Sequence, residues 1–175
     1  MSSQEVMINS RLTHVRELKA EVSRLKELNS RLNDEMSSLK AHFSLALAAM
    51  EDLRSLPEGG RMILVDGWNF ILGAKKDARS REELIALYRR HLEEHPDDSV
   101  WIVFDGPKES VANEGRLRVS YTGGAGPHRA DRFICDYLRS AGYLGLACRV
   151  DVRTNDRDLA EKAAGLIRAD RGNLL

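Results

Sequence analysis

Apolar residues recur every seven positions through the first third of the chain, where no proline or glycine occurs between Ile8 and Leu53. With Ile8 at heptad position a, the a positions hold Ile8, Val15, Val22, Asn29, Met36, Phe43 and Met50, and the d positions hold Arg11, Leu18, Leu25, Leu32, Leu39, Ala46 and Leu53. Such a repeat is typical of a coiled coil, and β-branched residues at a with leucine at d favour a parallel dimer. We predict a coiled-coil dimerisation helix over residues 1–56, with Asn29 fixing the register of a homodimer. The alternative is a long helix that packs onto its own domain.

The segment Leu56-Pro57-Glu58-Gly59-Gly60 separates the heptads from the rest of the chain. Proline stops a helix, and the glycines allow the backbone to turn. We therefore expect a hinge at residues 57–60 and a second domain at residues 61–175.

Two continuous apolar runs in the second domain each end in Asp-Gly, one at Asp66 and the other at Asp105. Such runs are typical of strands that are buried on both faces within a parallel sheet. A helical pattern at residues 80–95 lies between them, so we predict a right-handed βαβ unit and an α/β fold. Further strands are predicted at residues 117–122 and 149–154, further helices at residues 127–141 and after Leu159, a break at Gly165 and a short last strand at residues 166–168.

The composition indicates the cellular compartment of the protein but identifies no ligand. The 175 residues carry 27 basic and 27 acidic side chains, so no overall positive field indicates a polyanionic partner, although a local groove can be basic in a neutral protein. The two cysteines match no metal-binding spacing and favour buried thiols in a reducing compartment. No apolar run approaches the roughly 20 residues of a membrane span, and the N-terminus has no signal-peptide pattern. We expect a cytoplasmic protein with no membrane partner.

Aspartates follow the predicted strands or begin a predicted helix, at Asp66, Asp105, Asp131, Asp156 and Asp158. One aspartate in such a position is routine, because aspartate often caps helices and stabilises turns. Acids at four such places are more than capping requires. Carboxylates that converge repel one another unless a cation lies between them, and hard oxygen ligands suit Mg²⁺ or Mn²⁺. The pattern therefore predicts a divalent metal site at the carboxyl edge of the sheet.

Four segments occur in the order found in NYN domains, and the chain most resembles the YacP-like branch of the PIN-like nucleases. They are residues 63–69 (ILVDGWN), 103–106 (VFDG), 130–134 (ADRFI) and 154–159 (TNDRDL). The resemblance covers residues 61–175 and omits the heptads. It implies a three-layer α/β/α sandwich with a central parallel sheet. It also implies a metal-dependent endoribonuclease that hydrolyses RNA phosphodiester bonds.

The same resemblance assigns the site residues. It implies catalytic roles for Asp66, Asn69, Asp105, Asp131, Asp156 and Asp158. Among these, Asp66, Asp131 and Asp156 are expected to bind the Mg²⁺ or Mn²⁺ ion. Relatives often carry a second acid beside the helix aspartate or one turn later, whereas this chain has Ala130 and Cys135 there.

Aromatic and basic residues near these acids are candidates for contacts with RNA. Trp68 could stack on a base, with packing at the sheet edge as the alternative. Phosphate contacts are expected from Lys75, Lys76, Arg129, Arg132 and Arg157. His128 is either a general acid, an RNA contact or a surface residue.

Two other functions stay open at the level of sequence. A catalytically silent NYN domain could serve as an RNA-binding or ribosome-binding adaptor. A small-molecule phosphatase is the third reading, although neither Asp66 nor Asp105 begins the Asp-x-Asp pattern of aspartyl-phosphate chemistry.

Overall fold

A computed structural model of the protein describes residues 3–73, 80–124, 126 and 128–172. Its elements are α1 (Ser3–Ser55), β1 (Met62–Asp66), α2 (Gly67–Leu72), α3 (Arg81–Glu94), β2 (Ser99–Phe104), β3 (Glu109–Glu114), β4 (Leu117–Thr122), α4 (Arg129–Tyr143), β5 (Val150–Arg153) and α5 (Arg157–Gly172). The chain divides into two compact units, residues 1–43 and residues 44–175. None of the described helices is long and apolar enough to cross a membrane.

In the first unit the chain is the helix α1, as the heptad pattern predicts. The large apolar side chains of the repeat are exposed in the single chain, among them Val15, Leu18, Val22 and Leu25. Pairing of this helix with a second chain stays a prediction.

The second unit is built on a five-stranded sheet with the strand order β3-β4-β2-β1-β5. The strands β1, β2, β4 and β5 are parallel, and only β3 is antiparallel to its neighbour. Within the sheet Asp66 lies beside Val103, so the two predicted Asp-Gly turns leave the sheet next to each other. The α/β class and the parallel pairing of β1 with β2 are therefore confirmed.

Successive strand residues point to opposite sides of the sheet. Helices cover both of these faces, and each face has its own apolar cluster. Leu64 and Val103 pack in one apolar cluster with residues of α4, α5 and the end of α1. Val65 and Ile102 pack in the other cluster with residues of α2 and α3. The central strands β1 and β2 are buried on both sides, which explains their continuous apolar runs.

The edge strand β3 gave no signal in the sequence, where residues 108–115 carry no recognisable pattern. All six residues of β3 are exposed. Without a buried face, a strand has no alternation of apolar and polar residues from which it can be predicted. It pairs with β4 through a tight turn at Gly115, whose φ of 63° suits glycine.

The expected break at Gly165 and the short strand after it are wrong, because α5 runs through this glycine to Gly172. Glycine in a helix interior costs about 1 kcal/mol relative to alanine. The helix buries Leu159 and Ala163 in the core, and Leu166 and Ile167 pack against the same cluster. Burial of one such side chain is worth about 1.5–3 kcal/mol, so packing outweighs the glycine.

The end of α1 belongs to the second unit. Leu53 and Leu56 are part of the core, and Asp52 accepts two hydrogen bonds from the guanidinium of Arg118 at 3.0 and 3.1 Å. Burial and the Asp52 carboxylate both raise the pKa of Tyr137, which packs beside them. The division between the two units falls after Phe43, within α1. A hinge at residues 57–60 stays a prediction.

Candidate functional site

The candidate site begins where β1 passes directly into α2. Asp66 ends the strand and is the N-cap of the helix, and Gly67 is its first residue. A Cβ atom on Gly67 would lie 2.3 Å from the ring of Phe104, so only glycine fits at this close approach. This packing brings the backbone of the turn against β2 and holds Asp66 at the carboxyl edge of the sheet.

The carboxylate of Asp66 is 2% exposed and is held by several donors. The Asn69 backbone N–H donates to Oδ1 at 3.4 Å, and the Asn69 side-chain amide donates to Oδ2 at 2.5 Å. The hydroxyl of Thr154, at the end of β5, donates to the same Oδ2 at 3.1 Å. Two residues thus fix one buried carboxylate, Asn69 from the helix that follows it and Thr154 from a distant part of the sequence.

The pKa of Asp66 is raised above its ordinary value. Burial is the largest cause, and the negative charge of Asp131 adds to it, whereas the hydrogen bonds from Asn69 and Thr154 act in the opposite direction. The structure therefore brings Asp131 close enough to Asp66 for the two charges to interact. A cation between them would relieve both the burial cost and the repulsion.

Asp131 lies in the first turn of α4, where its Oδ2 is 3.0 Å from Nδ1 of His128. His128 is the N-cap of this helix and has the left-handed backbone conformation, with φ of 59° and ψ of 33°. Non-glycine residues seldom adopt this conformation, and it is enriched at functional sites. No partner for His128 could be predicted, because a contact across three residues depends on the shape of the turn before α4.

Asp105 has a structural contact that the sequence could not distinguish from a catalytic role. Its Oδ1 accepts a hydrogen bond from the Ala130 backbone N–H at 2.7 Å and from the Thr122 hydroxyl at 3.2 Å. It therefore anchors the first turn of α4 to the end of β2, and so positions the turn that carries Asp131.

Asp156 likewise caps a helix. Its Oδ1 accepts hydrogen bonds from the backbone N–H groups of Asp158 at 2.8 Å and Leu159 at 3.2 Å. Its own N–H donates to the hydroxyl of Thr154, the residue that binds Asp66. Asp158 is exposed in the first turn of α5. Asn155 donates to the carbonyl oxygens of Asn69 at 3.0 Å and of the next residue at 3.3 Å, which ties this turn to α2.

Direct contacts join Asp66, Asn69 and Thr154, a residue that sequence reasoning missed, and the charge of Asp131 acts on Asp66. Among the residues that the structure describes, no group of three or more His, Cys, Asp or Glu side chains is arranged to hold a metal ion. The donor chemistry nevertheless fits Mg²⁺ or Mn²⁺, because the oxygens of two acids and of Asn69 and Thr154 are hard ligands. Asp156 is linked to these residues by its backbone N–H, which donates to the Thr154 hydroxyl, while its Oδ1 caps α5.

Trp68 lies at the surface beside the site and is 36% exposed. Its indole N–H donates to the carbonyl oxygen of Asp105 at 2.7 Å, and its ring packs edge-on against Phe104. The guanidinium of Arg81 lies 5.8 Å from the Trp68 ring centre and donates to the Tyr121 hydroxyl. Trp68 is therefore partly packed and partly open, and Arg81 is a neighbouring cation that the sequence did not single out.

The other predicted RNA contacts differ in their surroundings. Arg129 is half-buried and donates to the Thr122 carbonyl oxygen at 3.3 Å. Arg132 is exposed on α4. Arg157 is exposed and donates to Glu161 on its own helix at 2.9 Å. Lys75 and Lys76 lie outside the described residues.

The two positions where the resemblance to NYN domains led us to expect a second acid hold buried side chains without a carboxylate. Ala130 is buried. Cys135 is also buried, and burial raises the pKa of its thiol. Asp136 is paired with Arg139 on α4. Asp131 is thus the acid of α4 whose charge acts on Asp66.

The Asp66 carboxylate therefore meets an amide and a hydroxyl at the carboxyl edge of a mostly parallel sheet. The charge of Asp131 acts on it, and a partly exposed tryptophan and a cation lie nearby. No protein-family model, curated protein or solved structure matches the chain. The residues and their geometry are the observations that bear on its function.

Proposed function

We propose that residues 61–175 form an NYN-type, PIN-like α/β/α domain that hydrolyses RNA phosphodiester bonds with the help of Mg²⁺ or Mn²⁺. The observation that carries the proposal is the buried carboxylate of Asp66, which meets the charge of Asp131 at the carboxyl edge of the sheet. Ligands of open α/β sheets bind at this edge. A buried carboxylate that a second acid repels costs stability, and such a cost is typical of functional sites.

Asp66, Asp131 and Asp156 would hold the cation. When bound, the metal would activate water and stabilise charge on the phosphate. The chain's own groups have separate tasks. Asn69 and Thr154 fix the direction of the Asp66 carboxylate, and Asp105 holds the turn that carries Asp131.

The surface beside the acids supports RNA as the substrate. Trp68 can stack on an unpaired base, a contact worth about 1–3 kcal/mol in proteins that bind single strands. Arg81, Arg129 and Arg132 lie on the elements that border Trp68 and Asp131, where they can neutralise phosphates. Both cysteines are free thiols, which suits the reducing cytoplasm, where RNA is abundant.

One observation favours a second candidate, an RNA-binding or ribosome-binding adaptor without catalysis. Asp105 and Asp156 each use an oxygen to cap a helix, as a purely structural aspartate does. In that case the basic and aromatic surface would bind RNA while the acids served the fold.

An RNA cleavage assay separates the two functions. The wild type should cleave a single-stranded RNA in Mn²⁺ and lose this activity in a chelator. Asp66→Asn should lose cleavage while it retains RNA binding. Asp97→Asn is the matched control, because Asp97 is exposed in the turn before β2, at the opposite edge of the sheet. Binding without any metal-dependent cleavage by the wild type would favour the adaptor.

A further inference from the structure

The heptad stripe of α1 is an apolar surface that the described chain leaves open. From Val15 to Met36 the apolar side chains at the a and d positions are about half exposed, between 46% at Val15 and 54% at Leu25. The stripe continues through Leu32, Met36 and Leu39. A helix that exposes so long an apolar face requires a partner that covers it.

The shape of this face suits another helix. Val15, Leu18 and Val22 line a groove together with the stems of Lys19 and Lys26. In a coiled coil, each a or d side chain inserts into a hole that four residues of the facing helix form. The groove is thus a set of such holes between the a, d and e positions.

The charges beside the stripe identify which helix fits. The e positions that carry charge are all basic, namely Lys19, Lys26 and Lys40, whereas g holds the acids Glu21 and Glu35. In a parallel pair of identical helices, g faces the following e position of the partner, so Glu21 meets Lys26 and Glu35 meets Lys40. In an antiparallel pair, e faces e and g faces g, so the same residues would meet like charges.

Asn29 points to the same arrangement. It occupies an a position within an otherwise apolar stretch of the stripe. In a parallel pair in register, Asn29 faces its own copy and the two amides can hydrogen-bond to each other. An antiparallel pair would place it against a d leucine and leave a polar group without a partner, which costs about 1–3 kcal/mol.

We infer that α1 docks onto a second copy of this chain as a parallel coiled coil in register. Residue Phe43 of each copy then lies at the same end of the coil, so both copies of residues 44–175 begin there. The inference is independent of the nuclease proposal, because it rests on the first unit alone.

Charge reversal in the full chain tests this arrangement. Glu21→Lys with Glu35→Lys should raise the dimer dissociation constant roughly tenfold or more, since four facing pairs change from attraction to repulsion. Adding Lys26→Glu and Lys40→Glu should restore the wild-type value. Sedimentation at low salt measures each constant, and circular dichroism confirms that each variant stays helical.

Glu27→Lys with Asp34→Lys is the matched control, because both residues occupy the outer f position and the change in charge is the same. This control should dimerise like the wild type. A wild-type chain that is monomeric at micromolar concentration would overturn the inference and would assign the stripe to another protein. Equal constants for the g-position variant and the control would overturn the parallel register.

Discussion

Arg149 should be the main anchor between the end of α1 and the rest of the second unit. Its guanidinium donates to four carbonyl oxygens at the helix end and in the segment that follows, at Leu53 (2.8 Å), Leu56 (3.3 Å), Pro57 (2.5 Å) and Gly60 (3.2 Å). The last carbonyls of a helix have no partner within the helix, so a cation at this place satisfies them and complements the helix dipole. Pro57 and Gly60, which lie in the predicted hinge, therefore accept hydrogen bonds from Arg149.

Arg149→Ala should destabilise the second unit by about 2–4 kcal/mol. Hydrogen bonds to a charged group contribute about 1.5–3 kcal/mol each, and water can replace some of them because Arg149 is only half-buried. For a chain of this size the loss corresponds to a fall of roughly 5–15 °C in melting temperature. Arg149→Lys should recover little, because an ammonium group cannot reproduce the planar fork of the guanidinium.

Thermal melting combined with limited proteolysis tests this prediction. Arg139→Ala is the control, since Arg139 makes an exposed pair with Asp136 and such pairs contribute about 0–1 kcal/mol. In the wild type, protease should not cut first between Leu56 and Arg61, whereas Arg149→Ala should open this segment. First cleavage there in the wild type, or a melting temperature that Arg149→Ala leaves unchanged, would refute the anchoring role of Arg149. Either result would favour a flexible hinge at residues 57–60.

Three further predictions concern the core and the site. Gly67→Ala should lower the melting temperature because its methyl group would overlap Phe104, and Phe104→Leu should relieve part of this loss; strictly additive losses would contradict it. Cys148 should react with a thiol reagent before Cys135, since burial raises the pKa of Cys135 and reduces its reactive thiolate; equal rates would argue against this. Without metal, the wild type should lose stability relative to Asp66→Asn as the pH rises above 3.8 and through the raised pKa of Asp66. The reason is that the folded state holds the proton of Asp66 more tightly than the unfolded state. Denaturant unfolding at several pH values measures this difference, and a difference that does not change with pH would contradict the prediction.

The sequence predicted those parts of the fold that depend on burial. The strands β1 and β2 are buried on both faces and therefore appear as continuous apolar runs, and α1 follows its heptads. The exposed strand β3 and the passage of α5 through Gly165 could not be predicted. In the first case no side chain is buried, and in the second the deciding energy comes from tertiary packing.

The placement of the candidate site at the carboxyl edge of the sheet stays a prediction, and its connections could not be predicted from the sequence. Asp66 ends β1 and Asp131 lies in the first turn of α4, from which its charge acts on Asp66. Whether an aspartate caps a helix or turns toward a ligand depends on side-chain direction, so the capping contacts of Asp105 and Asp156 were not visible in the sequence. The contact between Thr154 and Asp66 joins residues 88 positions apart and required the fold.

The most direct test of the proposed metal site is the melting temperature of the full chain as Mn²⁺ is added at neutral pH. Metal that binds the folded state alone raises stability with concentration. The wild type should therefore melt at a higher temperature in Mn²⁺, the control Asp97→Asn should behave in the same way, and Asp66→Asn should show little or no rise. An equal rise in Asp66→Asn, or no rise in the wild type, would contradict a metal site at Asp66.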